Sequence, residues 1–232
     1  MKQEIVWVTG AGSGIGKGIA LTFASRGHRV LATGRDIKKL IIVESQGEGN
    51  IITAACDMSS YHSITTFLKS SPFCDGISIL INNAGITSFT LAEEDSPELA
   101  EKMIATNLTG AIHAIQGVLP GMISRRDGLI VNILSVITQK VFTRSSLYSA
   151  TKSGLEAYAK VLREEVRRYN IRVMNVSPGA TDTPIWAEEM REKYSERMMH
   201  PDAIGELVYE LCFLKGNAVA EEIVLRPPLG DL

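Results

Sequence analysis

Short β-branched or apolar runs alternate with helix-length segments along the whole chain, and no other feature restricts the fold so strongly. The runs fall at residues 4–9, 29–33, 50–55, 77–82, 128–134, 171–176 and 221–225. Several are nearly continuous in apolar residues, as strands covered on both faces of a parallel sheet must be. Helical patterns occupy 14–26, 60–70, 97–119, 147–169 and 201–215, while 36–47 supports a short helix at best. Seven strands alternating with helices imply βαβ units, right-handed crossovers and an α/β doubly wound parallel sheet with helices on both faces. No linker, low-complexity stretch or internal repeat interrupts the 232 residues, so one domain is the economical reading.

Composition narrows the function classes. With 45% hydrophobic and 22% charged residues the chain has the makeup of a soluble globular protein. A net charge of −2 gives no electrostatic basis for nucleic-acid binding. No apolar run reaches the roughly 18 residues of a membrane span. The opening MKQEIVWVTG passes straight into a strand pattern without a leader. Cys56, Cys74 and Cys212 are odd in number, widely spaced and without a CxxC, the pattern of reduced thiols in a cytoplasmic compartment. His28, His62, His113 and His200 lack metal-ligand spacing, so no metal is expected.

The first strand runs into Thr9-Gly10-Ala11-Gly12-Ser13-Gly14-Ile15-Gly16 and then a helix. Glycines let the backbone approach a pyrophosphate, and the helix N-terminus supplies free amides and a partial positive charge. This is the context of a dinucleotide-binding turn, although the spacing departs from G-x-G-x-x-G. Gly10, Ser13, Gly14, Ile15 and Gly16 are therefore candidate cofactor contacts. At the end of the second strand an acidic residue would select a ribose 2′-hydroxyl and an arginine a 2′-phosphate. The chain carries Gly34-Arg35-Asp36 there. Gly34 leaves room and Arg35 can pair with a phosphate bidentately, which predicts NADP(H) in preference to NAD(H). Asp36 competes, either by neutralising Arg35 or by acting as the acid itself. Asp57, just past the third strand, is an adenine contact or a helix N-terminal residue.

Ligands of open α/β sheets lie at the carboxyl ends of the strands, so Asn83, Ala84 and Gly85 after the fourth strand border the cofactor. Asn107 stands among good helix formers and implies a kink or a bound water. Within residues 135–152, SVITQKVFTRSSLYSATK, Tyr148 and Lys152 are four apart and share a helix face. A phenol with its ordinary pKa near ~10 is a poor proton shuttle at neutral pH, and a nearby ammonium would lower that value. A hydroxyl at Ser135, delivered from the preceding strand, would meet a substrate carbonyl beside the phenol.

Together these stretches resemble the short-chain dehydrogenases/reductases over the whole chain. TGAGSGIG is similar to the family's TGxxxGxG turn and NNAG to its sheet-stabilising motif. Asn107, Ser135, Tyr148 and Lys152 match its catalytic tetrad in order and spacing, and SPGATDT at 177–183 matches its nicotinamide-side segment. The resemblance implies a Rossmann-type domain over residues 1–232. Its nucleotide-binding half would span about 1–90, its catalytic and substrate half about 91–232, and a lid about 184–200. It implies an enzyme that moves a hydride between nicotinamide and a carbonyl or alcohol carbon. Tyr148 would donate the proton, Lys152 lower its pKa and bind the nicotinamide ribose, and Ser135 polarise the carbonyl. Asn107 would hold a water linking Lys152 to solvent. Pro178 and Gly179 would lie on the nicotinamide side, with Thr181 through its backbone and Thr183 through its hydroxyl on the carboxamide.

Three further segments, FTRSSLY, TPIW and VAEEIVLRPPLGDL, narrow the resemblance to a bacterial sepiapterin-reductase-like branch. That points to a small-molecule carbonyl substrate such as a pterin side-chain diketone or ketol. A dehydrogenase of small 3-hydroxy acids or alcohols, and a non-catalytic dinucleotide sensor, are the alternatives. Trp186 either stacks on a flat heterocycle or anchors the lid. Arg144 faces a substrate carboxylate or solvent, and Met190, Met198 and Met199 line the site or pack beside it. The resemblance also implies a homodimer or homotetramer, built by pairing the helices at 97–119 and 147–169.

Overall fold

Strands that read as unbroken apolar runs need cover on both faces, and the computed structural model provides it. It describes residues 3–70, 73–216 and 218–232. Strands β1 (Ile5–Thr9), β2 (Arg29–Gly34), β3 (Ile51–Ala55), β4 (Ile77–Asn82), β5 (Gly128–Ile133), β6 (Ile171–Pro178) and β7 (Glu222–Leu225) form one sheet. Their order is β3-β2-β1-β4-β5-β6-β7 and every pairing is parallel. The central β4 and β5 are buried at every position. Alternation within β1 divides the two layers: Val6 and Val8 enter one core with Ile19, Phe23, Ile204 and Val208, while Trp7 enters the other with Ile64, Ile115, Val118 and Leu162. Helices α1 (Gly14–Ser25) and α8 (Pro201–Cys212) therefore cover one face, and α3 (Tyr61–Ser70), α5 (Gly110–Arg125) and α6 (Ser146–Val166) the other.

Two expectations need correction, and a third segment gains an element. Residues 36–47 hold a full helix, α2 (Ile37–Gln46), because the Asp36 Oδ1 caps it by accepting from the backbone N–H groups of Lys38 and Lys39 at 3.0 and 3.3 Å. Its apolar periodicity is blurred by exposed Ile37, Ile41 and Ile42, while only Leu40 and Val43 are buried. The expected helix at 97–119 divides into α4 (Pro97–Ile104), a π turn at Ala105–Thr109, and α5, which runs on across Pro120 to a left-handed end at Arg126 (φ 54°). Residues 184–200, read only as a lid, contain α7 (Glu188–Tyr194). Other boundaries move by a few residues, as where the helix expected to reach 215 ends at Cys212.

The sheet reverses direction of growth beside β1: β2 and β3 build outward on one side, and the chain then returns to place β4 on the other. The crevice at the carboxyl ends of β1 and β4 is where open sheets bind ligands. Among the described residues, no helix is long and apolar enough to cross a membrane, and no group of three His, Cys, Asp or Glu side chains could hold a metal ion.

Candidate active site

At that crevice the glycine turn is stapled to the turn after β4. The Thr9 hydroxyl accepts from the backbone N–H groups of Asn83 and Ala84, both at 3.0 Å, and donates to the Ile81 carbonyl at 3.3 Å. In return the Asn83 side chain donates to the carbonyls of Thr9 and Gly10 at 3.0 and 3.1 Å. Two glycines are demanded by this closeness. A Cβ on Gly16 would overlap the Asn83 amide and the Gly10 carbonyl, and Gly14 combines a φ of 54° with a Cβ position 2.9 Å from the Thr183 methyl. The Ser13 side chain makes no cap and the first turn of α1 holds no acidic residue, so nothing opposes an anion at this N-terminus.

From this turn a cavity of about 1350 Å³ extends along the sheet edge to the start of α6. Its wall includes Gly10, Ser13, Gly14, Ile15, Arg35, Asp57, Asn83, Ala84, Gly85, Ser135, Tyr148, Lys152, Pro178, Gly179, Thr181, Thr183 and Trp186. Two expected site residues lie behind the wall. Gly16 supports the turn from beneath, and Asn107 stands behind Gly85. The cradle suits a dinucleotide: backbone at the pyrophosphate position is exposed by glycine, and the room exceeds that of a single small ligand.

At one end, α2 adds Lys38 and Lys39 to the wall beside Arg35. Lys39 stands against Gly12, where a Cβ would be 3.3 Å from the lysine's own. These lysines escaped the sequence reading because their helix did. Asp36 caps this helix through Oδ1, which accepts from the backbone amides of Lys38 and Lys39, so one of its two carboxylate oxygens is engaged there. Asp57 serves as a local turn residue as well as a lining one: its Oδ1 accepts from the backbone and hydroxyl of Ser59 at 3.0 and 2.8 Å. Burial works to raise its pKa, but the Ser59 hydrogen bonds and the charges of Arg35 and Lys102 together bring it below the ordinary carboxylate value.

At the other end β5 and α6 bring the catalytic candidates together. Ser135 lies two residues past the end of β5, and Tyr148 and Lys152 lie in the first two turns of α6. The Tyr148 phenol and the Ser135 side chain line the same cavity and interact electrostatically, and the Ser135 hydroxyl accepts from the Ile137 N–H at 3.3 Å. Burial pushes the phenol's pKa up to about 12, against the downward pull of Ser135. Burial likewise pushes Lys152 down to about 8. Desolvation is the largest cause of both shifts, and Lys152 is not among the causes acting on Tyr148 in the structure without cofactor. The lysine Nζ donates to the Ile133 carbonyl at 2.8 Å and lies 5.8 Å from the centre of the phenol ring. Asn107 bears out the expected irregularity, for it lies in the π turn. Its amide donates to the Ile86 carbonyl and the Thr151 hydroxyl at 2.8 and 3.2 Å, and its oxygen accepts from the Ile86 N–H at 2.8 Å.

Beneath these groups runs a polar ladder that no single motif announced. Asn82, Asn132 and Asn175 face one another in register across β4, β5 and β6, each amide donating to the next oxygen at 3.0 Å. The Asn175 amide then donates to Glu222 of β7 at 3.1 Å, and Glu222 accepts from Arg163 of α6 at 2.7 Å. A buried polar chain of this kind helps to hold the strand register, although the Asn82 Oδ1 at its end has no hydrogen-bond partner among the described residues.

The far wall is apolar and aromatic. Trp186 stacks on Phe89 with ring centres 5.3 Å apart and planes 13° from parallel, so its anchoring contact is intramolecular while it still faces the cavity. Phe89, Phe142, Ile185 and Leu232 line the same end and went unnoticed, since they come from irregular segments without periodic signal. Arg144 lies outside the lining: its Nε donates to the Phe89 carbonyl at 3.2 Å and its Nη2 is 3.8 Å from Glu94. Met190 lines the cavity, whereas Met198 is buried and Met199 packs on the core.

A seven-stranded parallel sheet with this turn and this serine–tyrosine–lysine set defines an α/β oxidoreductase, and the chain belongs to the short chain dehydrogenase family, whose model matches residues 4–194. Among curated relatives it is 34% identical to a sepiapterin reductase of Chlorobaculum tepidum, over 99% of this chain and 98% of that one. It is 31% identical to an uncharacterized oxidoreductase of Staphylococcus saprophyticus, over 98% of both. Among solved structures, the closed form of a serine dehydrogenase complexed with NADP+ superimposes with a TM-score of 0.88 at 30% identity. That match covers 95% of this chain and 93% of the other.

Proposed function

We propose that the protein is an NADP(H)-dependent carbonyl reductase acting on small uncharged dicarbonyl or hydroxycarbonyl compounds, with a pterin side-chain carbonyl as the leading candidate. The observation that carries this reading is the convergence of Tyr148, Ser135 and Lys152 on a cavity that begins at the glycine turn. When bound, the nicotinamide supplies the hydride. Burial holds Tyr148 protonated, so it acts as the acid that gives its proton to the carbonyl oxygen. Ser135 donates a hydrogen bond to the same oxygen and stabilises the charge that develops there. Lys152 stabilises the phenolate left behind and holds the nicotinamide ribose. Asn107 holds the water through which Lys152 and Tyr148 regain a proton. Pro178, Gly179, Thr181 and Thr183 orient the nicotinamide, and Arg35 with Lys39 receives the 2′-phosphate. The segment 184–200 acts as the lid.

The likeness to a serine dehydrogenase supports a second reading, a dehydrogenase of small 3-hydroxy acids. Such a substrate needs a cation for its carboxylate. Among the described residues at the substrate end of the wall, the only cation is Lys152, and the rest of the lining there is mostly apolar or aromatic. An uncharged substrate is therefore favoured.

A screen of NADPH oxidation over sepiapterin, diketones and 3-oxo acids, with NADH run alongside, tests the reading. Tyr148→Phe lowers kcat by about 10²- to 10⁴-fold while NADPH binding changes by less than about threefold. Surviving turnover, or a preference for NADH, overturns it.

A further inference from the structure

The segment after β7 crosses back over the substrate end of the cavity, and Leu232 joins its wall. What holds this strap is Asp231. Its side chain is only 7% exposed, and its Oδ2 accepts from Lys140 Nζ at 2.9 Å and Arg226 Nη1 at 3.2 Å. A carboxylate so far from water needs its cations, because removing them leaves a buried charge uncompensated. The two partners come from different places. Arg226 directly follows β7, whereas Lys140 belongs to the loop that leads from Ser135 toward α6. Lys140 also lies 5.2 Å from the ring centre of Phe142, itself part of the cavity wall. Pro227 is buried at the root of the strap, with its Cδ near Gly179 of the nicotinamide-side segment.

We propose that Asp231 is a positioning residue whose double ion pair latches residues 226–232 onto the Ser135–Phe142 loop, so that Leu232 sets the size of substrate the cavity admits. The strap does not touch the reacting atoms. It couples the far edge of the sheet to the loop behind Ser135, and Leu232 adds to the wall of the cavity that Trp186 and Phe89 also line. The size-selection part of this proposal rests on the carbonyl-reductase reading, and the latch itself does not.

The test has two arms on the intact chain. In the first, deuterium exchange is followed in the wild type and in Asp231→Asn, which keeps the shape and removes the charge. Amides in 229–232 and 139–142 exchange about tenfold faster in the variant, while β5 and β7 are unchanged. In the second, KM and kcat are compared for 2,3-butanedione and 1-phenyl-1,2-propanedione in the wild type and Leu232→Ala. Removing the side chain lowers the KM for the bulkier ketone relative to the smaller by about threefold or more. Unchanged exchange in Asp231→Asn, or an unchanged KM ratio in Leu232→Ala, overturns the proposal. A wild type that reduces neither these ketones nor any other carbonyl overturns the functional reading instead, and the exchange arm then decides the latch alone.

Discussion

Replacing Lys152 by methionine should abolish turnover and yet make the protein without bound cofactor more stable. The lysine is 4% exposed, and among the described residues burial alone, with no carboxylate charge, acts on it. Its ammonium is held by the Ile133 carbonyl alone, and burial takes its pKa from 10.5 to about 8. At about 1.4 kcal/mol per pH unit, keeping that charge inside costs the fold about 3 kcal/mol at pH 7. Methionine fills a similar volume but leaves the Ile133 carbonyl without its donor, which returns about 1 kcal/mol. The net gain is about 2 kcal/mol. The folded pKa lies below the unfolded one, so the penalty is complete below about pH 8 and fades as pH rises toward 10.5. Urea denaturation of wild type and Lys152→Met at about pH 7 and pH 9.5 should therefore show the gap shrinking by about 2 kcal/mol. A wild type that is the more stable at pH 7, or a gap that ignores pH, would refute the argument.

Other perturbations probe the remaining parts. Thr9→Val deprives two half-buried amides of their acceptor and costs about 2 kcal/mol, a fall of about 4–8 °C in melting temperature, whereas Thr9→Ser retains most of it. Thermal melts of the three proteins check this. Arg35→Ala with Lys39→Ala should raise the KM for NADPH by about 10- to 100-fold and leave that for NADH within about threefold, measured by steady-state kinetics. His28 is buried against Phe23, Tyr209 and Phe213, and its Nδ1 accepts from the Glu4 N–H at 3.1 Å. Burial lowers its pKa from 6.5, so its contribution is complete above that value and is lost as pH falls below it. Melting temperatures from pH 7.5 down to 5 should fall less steeply in His28→Gln than in the wild type.

How much could be read without coordinates depended on how local each signal was. The glycine turn, the amide-rich turn after β4, and Tyr148 with Lys152 on one helix face all follow from neighbours in sequence. So do the buried strands, whose apolar runs demand a double-sided sheet. The irregularity at Asn107 was legible because asparagine is a poor helix former, and the chain does carry a π turn there. Helix α2 was underestimated because its exposed isoleucines hide the periodicity of Leu40 and Val43. With it went the lysines that flank Arg35.

Sequence by itself determined the fold class, through the apolar runs of the strands, and its motifs, taken with the family resemblance, pointed to the glycine turn and to the candidate reacting side chains. Tertiary structure alone decided their electrostatics and the shape of the substrate end. Lys152 and Tyr148 looked like a mutually tuned pair, but burial moves both pKa values toward the neutral forms, and burial is a property of everything packed around them. The asparagine ladder joins residues 43 and 50 positions apart, and Leu232 lines the same cavity as Phe142 and Trp186 although the three lie far apart in the chain. Contacts of that span leave no periodic trace in the chain.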